Sequence, residues 1–147
     1  MIKCKLTFFQ TFNAMRIYLT SYFEKTGAAD IAILLSGLKL DSSRPNWKED
    51  LWTWDQAMFE DWMDGVNKTL KDLNIQENPN QKLYDEWTAF LCMKNYLQLL
   101  YDQIPFDDVR DVLKILQNVK HSSDNLEWLH WLDCIQNSIK QEPYIIG

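Results

Sequence analysis

His130 and Cys134 stand one helical turn apart, a spacing that offers two ligands to a single metal ion, but a tetrahedral site needs two further donors converging from elsewhere. The plainer reading of the pair is a buried cysteine beside a partly exposed histidine. The other histidine, His121, has no nucleophile in a recognised arrangement. No G-x-S-x-G, phosphate loop, H-E-x-x-H or paired C-x-x-C occurs, and the paired E-x-x-H motifs of di-metal bundles are absent. No catalytic residue, metal site or cofactor is expected, and the chain reads as a binding protein rather than an enzyme.

Carboxylates and tryptophans are the remaining chemistry. Glu49, Asp50, Asp55, Glu60, Asp61 and Asp64 form the densest acidic stretch, opposed locally only by Lys48. Glu60 and Asp64 stand at i, i+4, where like charges cost an isolated helix roughly 0.2–0.5 kcal/mol. Such a set suits a basic ligand; it also suits a solvated face with acids at the favourable end of a helix dipole. Asp107, Asp108 and Asp111, with Asp102 nearby and Arg110 among them, make a smaller cluster. Trp47, Trp52 and Trp54 lie beside the first cluster, and they either cap the core or offer the large rigid surface that tryptophan brings to interfaces.

These residues need helices to position them. Phe9, Phe12, Met15, Leu19, Tyr22 and Phe23 recur at spacings of three and four and put one apolar stripe on a helix over residues 7–25, ended by Thr26-Gly27. Ile31, Leu34, Leu35 and Leu38 predict a second helix over 29–40, with Asp30 in its dipole-favoured first turn. Phe59, Trp62, Met63, Val66 and Leu70 predict a third over 55–73, with Gly65 as its weak point unless close packing requires it.

The same plan then returns. At one constant offset, Trp87, Phe90, Met93, Leu97, Leu100 and Tyr101 repeat the first stripe, and Val109, Val112, Leu113 and Leu116 repeat the second. At a shorter offset, Trp128, Trp131, Leu132, Ile135 and Ile139 repeat the third. Helices are predicted over 81–103, from Pro105 to about 119, and over 126–140, with a polar link at 74–80 and no strand. The expected fold is all-α: about six helices in two tandem three-helix repeats, residues 1–73 and 81–147, packed as a single globular domain because neither unit can cover its own aromatics. The copies differ most at residues 40–54, a Trp-rich insertion in the first.

Fifteen basic and twenty-one acidic residues give a net charge of −6, a field that repels nucleic-acid phosphate and anionic membrane and attracts basic partners. Direct nucleic-acid and membrane binding are not expected, and no stretch approaches the roughly 20 apolar residues of a membrane span. Three cysteines, Cys4, Cys92 and Cys134, in no close-spaced motif and without an evident signal peptide, read as a reducing cytoplasm.

The run Ala14-Met15-Arg16, Tyr18-Leu19, Tyr22-Phe23-Glu24-Lys25-Thr26-Gly27, Asp30-Ile31, Leu34-Leu35-Ser36 and Phe59-Glu60-Asp61-Trp62 resembles a family of small helical bacterial immunity proteins of polymorphic-toxin and contact-dependent growth-inhibition systems. The match is close over residues 12–66 and looser in the second copy, and the insertion departs from the family's short Asp/Gly/Pro tract. The resemblance implies tight stoichiometric binding of a cognate toxin, the C-terminal domain of a larger effector and in some cases a nuclease, without a catalytic residue or cofactor. The alternative is a helical adaptor for a cellular protein. The expected partner-binding residues are Trp47, Glu49, Asp50, Trp52, Trp54, Asp55, Glu60, Asp61, Asp64, Asp107, Asp108 and Asp111.

Overall fold

Thr7 starts the first helix by a reciprocal cap: its hydroxyl accepts the Gln10 N–H at 3.1 Å, and the Gln10 side chain accepts the Thr7 N–H at 2.9 Å. The computed structural model describes residues 5–41, 43 and 53–141. Helix α1 runs Phe8–Thr26 and ends at Gly27, whose left-handed φ of 68° lets its N–H close on the Phe23 carbonyl. Helix α2 spans Ala29–Gly37, α3 Gln56–Asp72, α4 Glu86–Gln103, α5 Asp107–Gln117 and α6 Leu126–Gln141. The described residues are thus mostly helical, and their buried side chains form one continuous core.

Three expectations are corrected. The chain is not free of strand: β1, Lys5–Leu6, pairs antiparallel with β2, Tyr84–Asp85, with Leu6 opposite Tyr84. Two residues are too few for an alternating pattern to register in sequence. The fourth helix starts at Glu86 rather than at residue 81, because Tyr84 and Asp85 are held by β1 and the Asp85 carboxylate caps the helix by accepting the Thr88 N–H at 2.7 Å. The second helix stops at Gly37 rather than at residue 40. Past it, Lys39 and Gly37 carbonyls accept the N–H groups of Trp54 and Asp55, and Leu40 pairs with Thr53, so the ends of the insertion are tied together.

Packing follows the apolar stripes. α3 lies antiparallel along α4, α6 lies along α1, and α2 meets α5; α1–α2 and α4–α5 are the other main pairs. The largest buried side chains sit at these crossings. Trp62 of α3 wedges edge-on between Phe12 (5.7 Å) and Tyr96 (5.6 Å), and Trp131 of α6 does the same between Phe90 (6.1 Å) and Tyr18 (6.2 Å). Gly65 is there for proximity: a Cβ built on it would lie 2.7 Å from Tyr96 Cα and 2.8 Å from Tyr96 N. The contact is with backbone, so no rotamer change relieves it.

Trp62→Ala and Trp131→Ala should each lower stability by roughly 3–5 kcal/mol in denaturant unfolding, since both rings are fully buried and would leave large cavities. Gly65→Ala should lower it by about 1–3 kcal/mol even though alanine is the better helix former, because the overpacking outweighs a propensity gain of about 1 kcal/mol. A melting temperature at or above the parent's for Gly65→Ala would show that α3 and α4 do not cross this closely.

Candidate functional site

The predicted acids divide by role. Asp55 is structural: it caps α3, its carboxylate accepting the Ala57 N–H at 3.0 Å. Asp108 also serves as a cap, but across elements, accepting the Asp30 N–H of α2 at 2.9 Å where α2 has no cap of its own. Asp107 and Asp111 flank Arg110 at 3.4 and 3.3 Å. Glu60 and Asp64 are exposed on α3, whereas Asp61 is half-buried against α4 and accepts a long 3.5 Å hydrogen bond from the Gln103 amide. Trp54 is 64 % exposed, which excludes a core-capping role for it. Trp47, Glu49, Asp50 and Trp52 lie outside the described residues.

Between the acids of α3 and those at the start of α5 lies an apolar pocket of about 160 Å³. α2 contributes Asp30, Ile33 and Leu34, and α3 contributes Met58 and Asp61. The end of α4 and the turn into α5 add Leu100, Gln103, Ile104, Phe106 and Val109. Ile33, Ile104 and Phe106 remain largely exposed at 63, 56 and 45 %, an apolar surface that water would not favour unless something covers it. The sequence does carry a trace of this. Ile33 falls off the Ile31–Leu34–Leu38 stripe, and Ile104 and Phe106 are large apolar residues in a connection.

Electrostatics mark the same place. Burial holds the Asp61 carboxyl above the usual range, Asp64 and Asp55 add to the effect, and the Gln103 hydrogen bond partly offsets it. Asp30 is raised as well, by desolvation first and then by Asp108 and Asp107, which together outweigh the dipole-favoured position expected of it. Both groups protonate more easily in the folded chain than in the unfolded one. Their contribution to stability is therefore present at low pH and lost as pH rises through their folded-state pKa values. No ion pair among the described residues involves either side chain.

Two buried tyrosines differ sharply. The Tyr18 hydroxyl donates to the Glu127 carboxylate at 2.9 Å, whereas the Tyr96 hydroxyl, fully buried, has no partner among the described residues. Desolvation raises both phenols, with Glu127 acting further on Tyr18 and Asp61 and Asp55 on Tyr96. Near Tyr18, His130 Nε2 is 4.0 Å from Cys134 Sγ, and burial pushes that thiol up to about 12, so it stays protonated and inert as a nucleophile. Glu127 and His130 form a single E-x-x-H. Among the described residues, no group of three or more His, Cys, Asp or Glu side chains is arranged to hold a metal ion. Arg16 is a separate oddity, a buried cation 6.0 Å from the Phe12 ring centroid whose guanidinium Nε has no partner; desolvation lowers it to about 10, still charged at neutral pH.

No helix among the described residues is long and apolar enough to cross a membrane. No family model, curated protein or solved structure matches the chain.

Tyr18→Phe should lower stability by about 1.5–3 kcal/mol, since it removes a hydrogen bond to a charged acceptor. Tyr96→Phe should leave the melting temperature unchanged or raise it, because it deletes a buried hydroxyl with nothing to bond. Equal losses in both variants would mean that Tyr96 has a partner within the folded chain.

Proposed function

We propose that this chain is an immunity protein that binds one cognate toxin, the C-terminal toxin domain of a larger effector, stoichiometrically and in the cytoplasm, with no catalytic step of its own. The observation that carries the reading is the apolar pocket walled by Asp30 and Asp61 and flanked by the acids of α3 and of the start of α5, in a chain of net charge −6. Uncovered apolar side chains together with unpaired carboxylates favour a partner that is both apolar and basic. A nuclease toxin fits, because its phosphate-binding cleft is basic and carboxylates can occupy it in place of phosphates. The resemblance over residues 12–66 supports the same role.

We further propose that the fold arose as two tandem three-helix units, residues 1–73 and 81–147. The supporting observations are the matched aromatic trios, Phe12–Trp62–Tyr96 and Phe90–Trp131–Tyr18, and the matched docking of α3 on α4 and of α6 on α1. Leu6 and Tyr84, which correspond at the same offset, face one another in the β1–β2 pair, as residues beside an internal two-fold axis would.

Reversing Asp61 and Asp64 together to lysine should abolish protection of cells against the cognate toxin while leaving helical content and melting temperature nearly intact. Truncating one partner of a desolvated charge pair typically costs 2–5 kcal/mol, so binding should weaken by a factor on the order of a hundred or more. The partner to use is the product of the gene next to this one, tested by co-purification and by co-expression. A folded double variant that still protects, or a neighbour that is a metabolic enzyme and shows no toxicity, would sink the reading and favour an adaptor.

A further inference from the structure

The pocket of Asp61 has a counterpart at the position equivalent by the repeat offsets, and the two differ in a way that specifies a ligand. The offsets relating the halves carry Met58, Asp61, Leu100, Gln103 and Ile104 onto Glu127, His130, Tyr22, Lys25 and Thr26. Those five residues line a second concavity, also of about 160 Å³. There the polar groups answer one another. The Tyr18 hydroxyl donates to Glu127, the His130 ring lies 5.3 Å from the Tyr18 ring, and Lys25 supplies a cation at the wall.

At the Asp61 pocket the equivalent groups have no answer. Met58 stands where Glu127 stands, and Tyr96, the counterpart of Tyr18, is left with a buried unpartnered hydroxyl. Gln103 and Ile104 stand where Lys25 and Thr26 stand, so among the described residues the wall has no cation and Asp61 receives only the 3.5 Å bond from Gln103. With methionine in Glu127's place the pocket is apolar, and with glutamine in Lys25's place its carboxylate has no counter-charge among the described residues. What is missing is one positive charge on a slender apolar stem.

We propose that this pocket takes one arginine side chain of the bound protein, its stem lying on Met58, Leu100 and Ile104 and its guanidinium meeting Asp61 and Asp30. The geometry suits that group over lysine. A guanidinium is planar, more weakly hydrated than an ammonium, stacks on aromatic faces such as Phe106 and donates to two carboxylates at once. The volume is right for one such group: a cavity of about 150 Å³ holds a single benzene ring. The inference rests on the reading that the chain binds a basic protein partner, but its test does not need that partner.

Butylguanidinium, butylammonium and n-butanol are titrated separately into the full chain while methyl NMR signals are followed. Butylguanidinium should shift Met58, Leu100 and Ile104 saturably, at concentrations on the order of millimolar for so small a ligand, and at least about threefold tighter than butylammonium. Ile115, which lines the counterpart pocket, should not move. Asp61→Asn should weaken binding about tenfold or more, with the melting temperature of the variant recorded alongside. Absence of a shift at Ile104, an equal response to butylammonium or n-butanol, parallel movement of Ile115, or full binding by a folded Asp61→Asn chain would each overturn the inference. The comparison of the three probes on the parent chain decides the matter even if the variant does not fold. A chain that takes butylguanidinium at Ile104 yet protects no cell defeats the proposed function and leaves the pocket standing; protection without probe binding defeats the pocket alone.

Discussion

The close crossing of α3 over α4 at Gly65 is the constraint on which the rest of the molecule depends. With no side chain at that point, the α3 backbone settles against the backbone of Tyr96, and the two antiparallel helices stay in contact along their length. On one side of the crossing this seats Thr69 against Asn95, whose amide donates to the threonine hydroxyl at 2.8 Å. On the other it brings Asp61, one turn before Gly65, to Gln103 near the end of α4. Trp62 is driven into the core by the same approach. A wider crossing would release the tryptophan and dissolve the wall that Met58 and Asp61 share with Leu100 and Ile104.

Satisfaction of buried polar groups is uneven, and the unevenness follows location. Trp131 donates its indole N–H to the Glu86 carbonyl at 3.1 Å, and Tyr18 finds Glu127, whereas Trp62 Nε1 and Tyr96 hydroxyl, the corresponding atoms at the α3–α4 crossing, are without partners. An unsatisfied buried polar atom costs about 1–3 kcal/mol, and such atoms are few in folded proteins. Trp62 and Tyr96, whose rings stand 5.6 Å apart, carry two of them, whereas their counterparts Trp131 and Tyr18 are both satisfied.

Carboxylates do two kinds of work in this chain, and only position separates them. Asp55 and Asp85 cap the helices that follow them, and Asp108 caps α2 from a different helix, so three of the twenty-one acidic residues are architecture. Asp61 has no such task. Its half-buried place beside apolar side chains raises its proton affinity, and its only hydrogen-bond donor among the described residues is a neutral amide at long range. Asp30 shares that environment because Asp108 takes its N–H and adds charge next to it.

Helix identity, helix order and the core were legible in the sequence because they depend on local periodicity: the stripes through Phe12, Met15 and Leu19 and through Phe90, Met93 and Leu97 are buried as their spacing predicts. The need of Gly65 for close packing was legible only as a condition. The short β1–β2 pair, the late start of α4 and the early stop of α2 were not, since each is decided by a partner distant in sequence. The candidate site divides in the same way. Asp61 stood out by charge density, but Asp30, Ile33, Ile104, Phe106 and Tyr96 acquire meaning only where α2, α3 and the α4–α5 turn converge. Sequence alone determined which faces had to be buried, because burial of a helix face is a matter of spacing along one chain segment. Tertiary structure alone decided which polar and apolar groups were left facing an uncovered space, because that depends on what the other segments fail to supply.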